Sequence, residues 1–297
     1  MAAAGRTAAR LARLSSPGAA VAPFLLVLPT LIILLVFLMF LAGMVATSLS
    51  TGTGQPGLTL ANYDRILSSG FFYSRLVLSA KLAFFSTLIS LLLGYPVALH
   101  MTRISGVTLK IVFLLLTVLF FSDYVMRMYA VILAFGNNGF INQALLGIGA
   151  VAAPVHFLYS QTGVVIGLVA GNLAFMIFAL YPTLSRINPD YVAAASLLGA
   201  SPLRQFLMVT LPLSAPGILA GCSLVFLMSL NSYITPALLG AGFVQMIATL
   251  IFDQAISTWR LPLASASATV LLFVTLIMLA GLGSLARLYG SRGKRWG

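Results

Sequence analysis

The distance between successive charged side chains constrains this chain more than any other feature. From Arg13 to Asp64 there are fifty residues without a charge, from Lys81 to Arg103 twenty-one, and from Arg127 to Arg186 fifty-eight. From Arg204 to Asp253 there are forty-eight, and from Arg260 to Arg287 twenty-six. A bilayer core of about 30 Å takes roughly 20 apolar residues of helix at 1.5 Å each. Such gaps predict membrane-spanning helices. Between Lys110 and Asp123 only twelve uncharged residues intervene, but apolar character resumes from Met128 to Phe135, so 109–135 reads as one span with two charges inside it. The expected spans are 24–48, 76–100, 109–135, 162–185, 213–232 and 263–286, and the expected fold class is an all-α integral membrane protein with six transmembrane helices.

Composition agrees. The 297 residues are 61% hydrophobic and 7% charged, with mean hydropathy +1.09, whereas soluble domains carry about a quarter charged residues. Sixteen Lys and Arg face four Asp and no Glu, a net charge of +12. Nucleic-acid proteins spread such charge over a wetted surface; here it only punctuates apolar runs, so no nucleic-acid partner is expected. Placing both termini inside puts eleven cations (Arg6, Arg10, Arg13, Arg103, Lys110, Arg186, Arg204, Arg287, Arg292, Lys294, Arg295) against Asp190 on the cytoplasmic side. The remaining five cations and three Asp lie outside or within the membrane. Eleven against five satisfies the positive-inside rule. Residues 1–22 and 289–297 then form basic cytoplasmic tails flanking a six-span transmembrane domain at 23–288. The first apolar run exceeds the 7–15 residues of a signal peptide, so it is read as an uncleaved span.

Gly163, Gly167 and Gly171 recur at spacing four in the fourth span, and Ser86, Ser90 and Gly94 in the second. Small stripes let helix backbones approach closely, either within the chain or at a subunit interface. Asp123 and Arg127, four apart, are expected to share a helix face and pair, with Tyr124 beside them. Each charge alone would cost about 2.5–3.5 kcal/mol at mid-span, so the pair is a candidate for the translocation path. Asn172, Asn231 and Tyr233 are further candidates. The chain has no GxxxxGK[ST] loop, no hydrolytic set and no His/Cys cluster; it is expected to be neither an enzyme nor a holder of metal or cofactor.

The most informative stretch runs from Asn188 to Pro212. Asn188 can cap a helix begun by Pro189, with Asp190 at its positive end. Ala193, Ala194 and Ala195 favour helix, Gly199 sits where a C-terminal cap belongs, and Ser201-Pro202 opens a second helix. A short alanine-faced helix outside the membrane suits a groove on a partner. The pattern Ala193-Ala-Ala-x-x-x-Gly199, nine residues and then Val209-Thr-Leu-Pro212, resembles the EAA loop of binding-protein-dependent ABC importer permeases. Gly94-Tyr-Pro-Val-Ala98, Arg127-Met-Tyr129, Gly139-Phe-Ile-Asn142, Leu198-Gly-Ala-Ser201 and Thr235-Pro-Ala-Leu-Leu-Gly240 resemble the first membrane subunit of the spermidine/putrescine type.

The resemblance implies the MetI-like fold in a bacterial cytoplasmic membrane, and import of a small solute, with a polyamine or related organic cation favoured. It also implies cytoplasmic ATPase subunits docking at Asp190, Ala193–Ala195, Gly199, Ala200, Ser201, Arg204 and Pro212. A second permease subunit and a periplasmic solute-binding protein complete the expected partners, with membrane lipid around the spans. The family's loop glutamate falls at Ala193, so any charge contact there is lost or passes to Asp190 or Arg204. The alternative reading is an ion-coupled secondary transporter, for which four aspartates are a poor supply of coupling groups.

Overall fold

A computed structural model describes residues 17–51 and 57–293. Arg6, Arg10, Arg13, Lys294 and Arg295, on which the orientation reading leans, lie outside the described residues, as do most of the two predicted basic tails. The described chain is helical, with one isolated bridge between Ser50 and Leu58.

Helix α1 (Pro17–Ser48) leads through a short loop to α2 (Ala61–Leu67) and the long α3 (Gly70–Met101). The third predicted span is two helices, α4 (Gly106–Phe121) and α5 (Tyr124–Phe135), followed by α6 (Phe140–Gly147). Then come α7 (Gln161–Leu184), α8 (Pro189–Leu197) and α9 (Pro202–Gln205), which passes through a π turn at Phe206–Thr210 into α10 (Leu211–Leu230). Two short helices, α11 (Ile234–Leu239) and α12 (Ile247–Phe252), a second π turn at Asp253–Ser257 and α13 (Leu261–Gly293) complete the described chain. Five helices are long and apolar enough to cross a membrane, and a sixth crossing counts only if the bent α4–α5/α6 pair is one span.

The centre is the α3–α7–α10 trio, with α7 at its middle: 67% of its most apolar stretch is buried, against 0% for α1. Helix α1 packs on α13 and leaves Ile33, Leu35 and Phe40 outward, as befits a helix in lipid. The small residues lie where the trio closes. A Cβ on Gly217 would stand 2.8 Å from Thr183 of α7, and one on Gly221 2.8 Å from Met176. One on Gly167 would meet Thr235 of α11 at 2.7 Å. The stripes on α3 and α7 are thus used within the chain, where lipid removes the hydrophobic drive and close contact replaces it. Serines add bonds: Ser86 donates to Ser229 at 2.9 Å, Asn172 donates to Ser229 at 3.0 Å, and Tyr95 pairs with Ser214 at 2.8 Å.

Loops are closed by asparagines. Asn62 donates to the Ser48 and Ser50 carbonyls, both at 3.0 Å, and fastens α2 under the end of α1. The fully buried Asn142 donates to Gly136 and Val155 carbonyls and accepts from Val155 N–H, tying α6 to the loop before α7.

Replacing Gly221 with Leu should destabilise the folded protein by about 1–3 kcal/mol through overpacking against Met176. Replacing Gly43 with Leu, where an added Cβ meets nothing within 4 Å, should not. Thermal unfolding of the two variants in detergent checks the contrast.

Candidate functional site

Two regions carry most of the predicted site residues: the segment that follows the C-terminal end of α7, and the surroundings of Gly171 and Asn172 near the middle of α7. The first is the 188–212 segment. Asn188 accepts from the Asp190 N–H at 3.0 Å, Pro189 takes the first helical position, and α8 runs to Leu197 with no buried residue. Its end is closed by bonds from Leu198 N–H to Ala194, Gly199 N–H to Ser196 and Ala200 N–H to Ala195. Gly199 holds φ +78°, a left-handed conformation that suits glycine. Gln205 then donates to the Ala200 carbonyl at 2.7 Å, locking α9 to the hinge. Ser201 precedes Pro202 as expected but makes no side-chain capping bond.

Ala193 and Ala194 are exposed and Ala195 is half-buried. Arg204 lines a cavity of about 320 Å³ with Ala195, Leu198, Ala200 and Met208 between α8 and the π turn. Pro212 lies in the first turn of α10. The sequence reading gave no docking role to Leu197 or Leu198, which are 90% and 88% exposed. Two bare leucines at the end of a helix with no buried residue leave an uncovered apolar patch; their position just before the capping glycine was the available signal.

The second region surrounds the broken third span. The predicted Asp123–Arg127 ion pair is not formed, and the predicted continuous helix is bent by 102° between α4 and the segment that follows it. The reason is that each charge satisfies a helix end. Asp123 caps α5 by accepting from Met126 N–H at 2.9 Å and stays exposed. Arg127 folds the other way. It donates to the Leu119 and Ser122 carbonyls at 2.6 and 2.9 Å, and to Gly171 of α7 at 2.8 Å. A carboxylate at a helix N-terminus and a guanidinium at a C-terminus both oppose the macrodipole, which disfavours leaving the break to pair with each other.

Tyr124 bonds Thr235 of α11 at 2.7 Å, and its ring lies where a Gly171 side chain would be. Asn172, one residue on, is buried in the Ser86–Ser229 network. So Tyr124, Arg127 and Asn172 converge on one stretch of α7. Asp123 and Asn231 do not join them; Asn231 is exposed and bonds its own helix at Leu227. Tyr233 belongs elsewhere, stacked on Phe252 with ring centroids 4.4 Å apart beside a cavity that also holds Asp253. Sequence reasoning left Asp253 and Gln245 unassigned. Among the described residues no group of His, Cys, Asp and Glu could hold a metal.

No family model matches the chain. It is, however, 31% identical over 221 residues to the spermidine/putrescine transport system permease protein PotB of Escherichia coli K12, covering 74% of this chain and 80% of that protein. The chain belongs to the ABC importer permease family. This permease is also 28% identical over 281 residues to the putative 2-aminoethylphosphonate transport system permease protein PhnU of Salmonella typhimurium LT2, covering 94% and 96% of the two chains. In fold it is similar to a bacterial ABC transporter for import of alginate (TM-score 0.70, 20% identity, 90% and 95% covered). It also matches the MetNI methionine ABC transporter (TM-score 0.55, 14% identity, 73% and 95% covered). The permease is therefore a multi-pass membrane component of the importer class, a transporter subunit and not an enzyme.

Arg127 and Asp123 separate two accounts of the broken span. Arg127→Met should destabilise the permease by about 1–3 kcal/mol, chiefly through the Ser122 carbonyl, since Leu119 keeps the Ser122 hydroxyl as a donor, whereas Asp123→Asn, which keeps the capping oxygen, should stay within about 0.5 kcal/mol of the parent. Denaturation midpoints of the two variants provide the comparison; an ion pair would make them equally damaging.

Proposed function

We propose that segment 188–212 is the surface on which a cytoplasmic ATPase docks, and that α8 acts as a lever on the translocation path. The observation that carries this reading is the exposure of Leu197 and Leu198 on a helix with no buried residue. That helix is held by the Gly199 turn and the Gln205 bond to a continuous helical run, Pro202–Leu230. Such a run of 29 residues is about 43 Å long at 1.5 Å per residue, enough to carry a displacement from one membrane face to the other. It packs on α7 through Gly217 and Gly221, so Asn172 and the Arg127 bond to Gly171 move with it. Docking without the family's glutamate then rests on the leucines and the bare alanine face, with Asp190 and Arg204 as flanking charges.

In this reading the 188–212 face is cytoplasmic. The far ends of α1 and α13 agree: α1 ends at Ser48 against Tyr63 of α2 (2.6 Å), and α2 packs on the beginning of α13. The start of α1 and the end of α13 therefore both run toward the docking side, as eleven inner cations require. A second permease subunit completes the path, and a solute-binding protein delivers cargo to the other face; the alginate transporter has been seen with its periplasmic protein.

For cargo, we infer a small organic cation of the polyamine kind. Spermidine and putrescine, named for one relative, are polycations; 2-aminoethylphosphonate, named for the other, carries a phosphonate and shares with them only the primary ammonium group. The ion-coupled alternative finds little support in the described residues, because Asp123 is spent as a helix cap.

Ala194→Trp, placed on the exposed face of α8, should abolish uptake and ATPase co-purification while membrane abundance and thermal stability hold. Retained co-purification and uptake would remove the docking assignment.

A further inference from the structure

At the end of the bundle away from the docking segment, the chain between α10 and α13 folds back as α11, α12 and their loops. It frames a half-open cavity of about 200 Å³. Tyr233 and Phe252 form one wall, their rings 4.4 Å apart and inclined by 30°. Asp253 lies beside them at the start of a π turn, a distortion that often accompanies functional sites. Its Oδ2 accepts from Gln245 Nε2 at 2.6 Å and its Oδ1 from Ser257 at 3.5 Å. Both donors are neutral, and no Lys or Arg among the described residues pairs with it. Asp64 and Asp190 lie on other surface helices and Asp123 is a cap. Asp253 is thus the one acidic group of the described chain set against aromatic rings in a concavity.

We propose that this cavity is a recognition site for the primary ammonium end of an amine, entered before the central path. The proposal deepens the cargo reading above and rests on it. A half-buried carboxylate with only neutral partners gains a full ion pair from an ammonium, and ring faces within about 6 Å add cation–π attraction. At about 30 Å³ per water the cavity holds the equivalent of about seven waters, room for an ammonium and a short alkyl segment and not for a long polyamine. Gln245 orients the carboxylate; Ala237, exposed at the rim, marks the entrance. A net charge of +2 over the outer and intramembrane groups makes a local acid the more necessary for cation entry.

The test uses the full transporter complex in membranes, with Ala237→Cys as a reporter in a Cys222→Ala background. Trimethylammonium and sulfonate methanethiosulfonates are the two probes. The cationic reagent should react about tenfold faster relative to the anionic one than it does with a free thiol. Asp253→Asn should erase that preference while keeping the Gln245 bond, and Asp253→Glu should restore it. Equal preference before and after Asp253→Asn overturns the site. In parallel, putrescine uptake by the Asp253→Asn complex should show a KM raised about tenfold with Vmax and abundance little changed. A lowered Vmax with unaltered KM would also overturn it. If the unsubstituted complex shows charge preference at the rim but no putrescine uptake, the site stands and the polyamine cargo falls.

Discussion

Inside a bilayer every backbone carbonyl must find a donor within the protein, and the break at Ser122–Asp123 is where this chain meets that demand with two side chains, the Ser122 hydroxyl and the Arg127 guanidinium. A helix interrupted beside the bundle leaves the last carbonyls of α4 without amide partners. Arg127 supplies two of them and then reaches α7 through Gly171. One guanidinium thus caps a helix, fixes a bend and fastens the bent segment to the most buried helix of the structure. Lysine could not make the same fork of bonds from one planar group. Tyr124 adds a second fastening, to α11. The arrangement of α5, α7 and α11 follows from these two residues.

The same economy governs the trio at the centre. Lipid tails are as apolar as leucine, so burial of Leu or Ile gives little drive for helices to associate there. Glycines at 167, 171, 217 and 221 provide contact distances that larger residues forbid, and the Ser86–Ser229–Asn172 cluster adds hydrogen bonds among three helices. In the proposed coupling, a force applied at segment 188–212 enters α10 directly, because the π turn at Phe206–Thr210 widens the helix without breaking it.

Much of this was legible beforehand, for reasons that can be named. Long uncharged gaps mark spans because the bilayer penalises charge whatever the fold. Asn188, Pro189 and Gly199 act on their own neighbours, so their roles follow from local order. The Asp123–Arg127 pair failed because Asp123 is the N-cap of α5, with its carboxylate turned to the Met126 N–H, while Arg127 reaches back to the end of α4; Ser122-Asp123 contains neither glycine nor proline to announce the bend. Asn231 looked like a path residue and instead bonds its own helix. Asp253 was overlooked because its setting is built from Tyr233, Gln245 and Phe252, brought together by two six-residue helices that no periodicity could reveal. Leu197 and Leu198 were hidden by their ordinariness, since only the structure says that nothing in this chain covers them.

The central claim is that this permease is driven from outside itself, through segment 188–212, and not by an ion gradient through its own spans. Uptake of labelled solute into proteoliposomes holding the assembled complex, with ion gradients collapsed by ionophores, tests it most directly. Uptake should require the ATPase subunits and ATP, and should persist without any gradient. Gradient-driven uptake by this chain alone, with no ATPase present, would contradict the account.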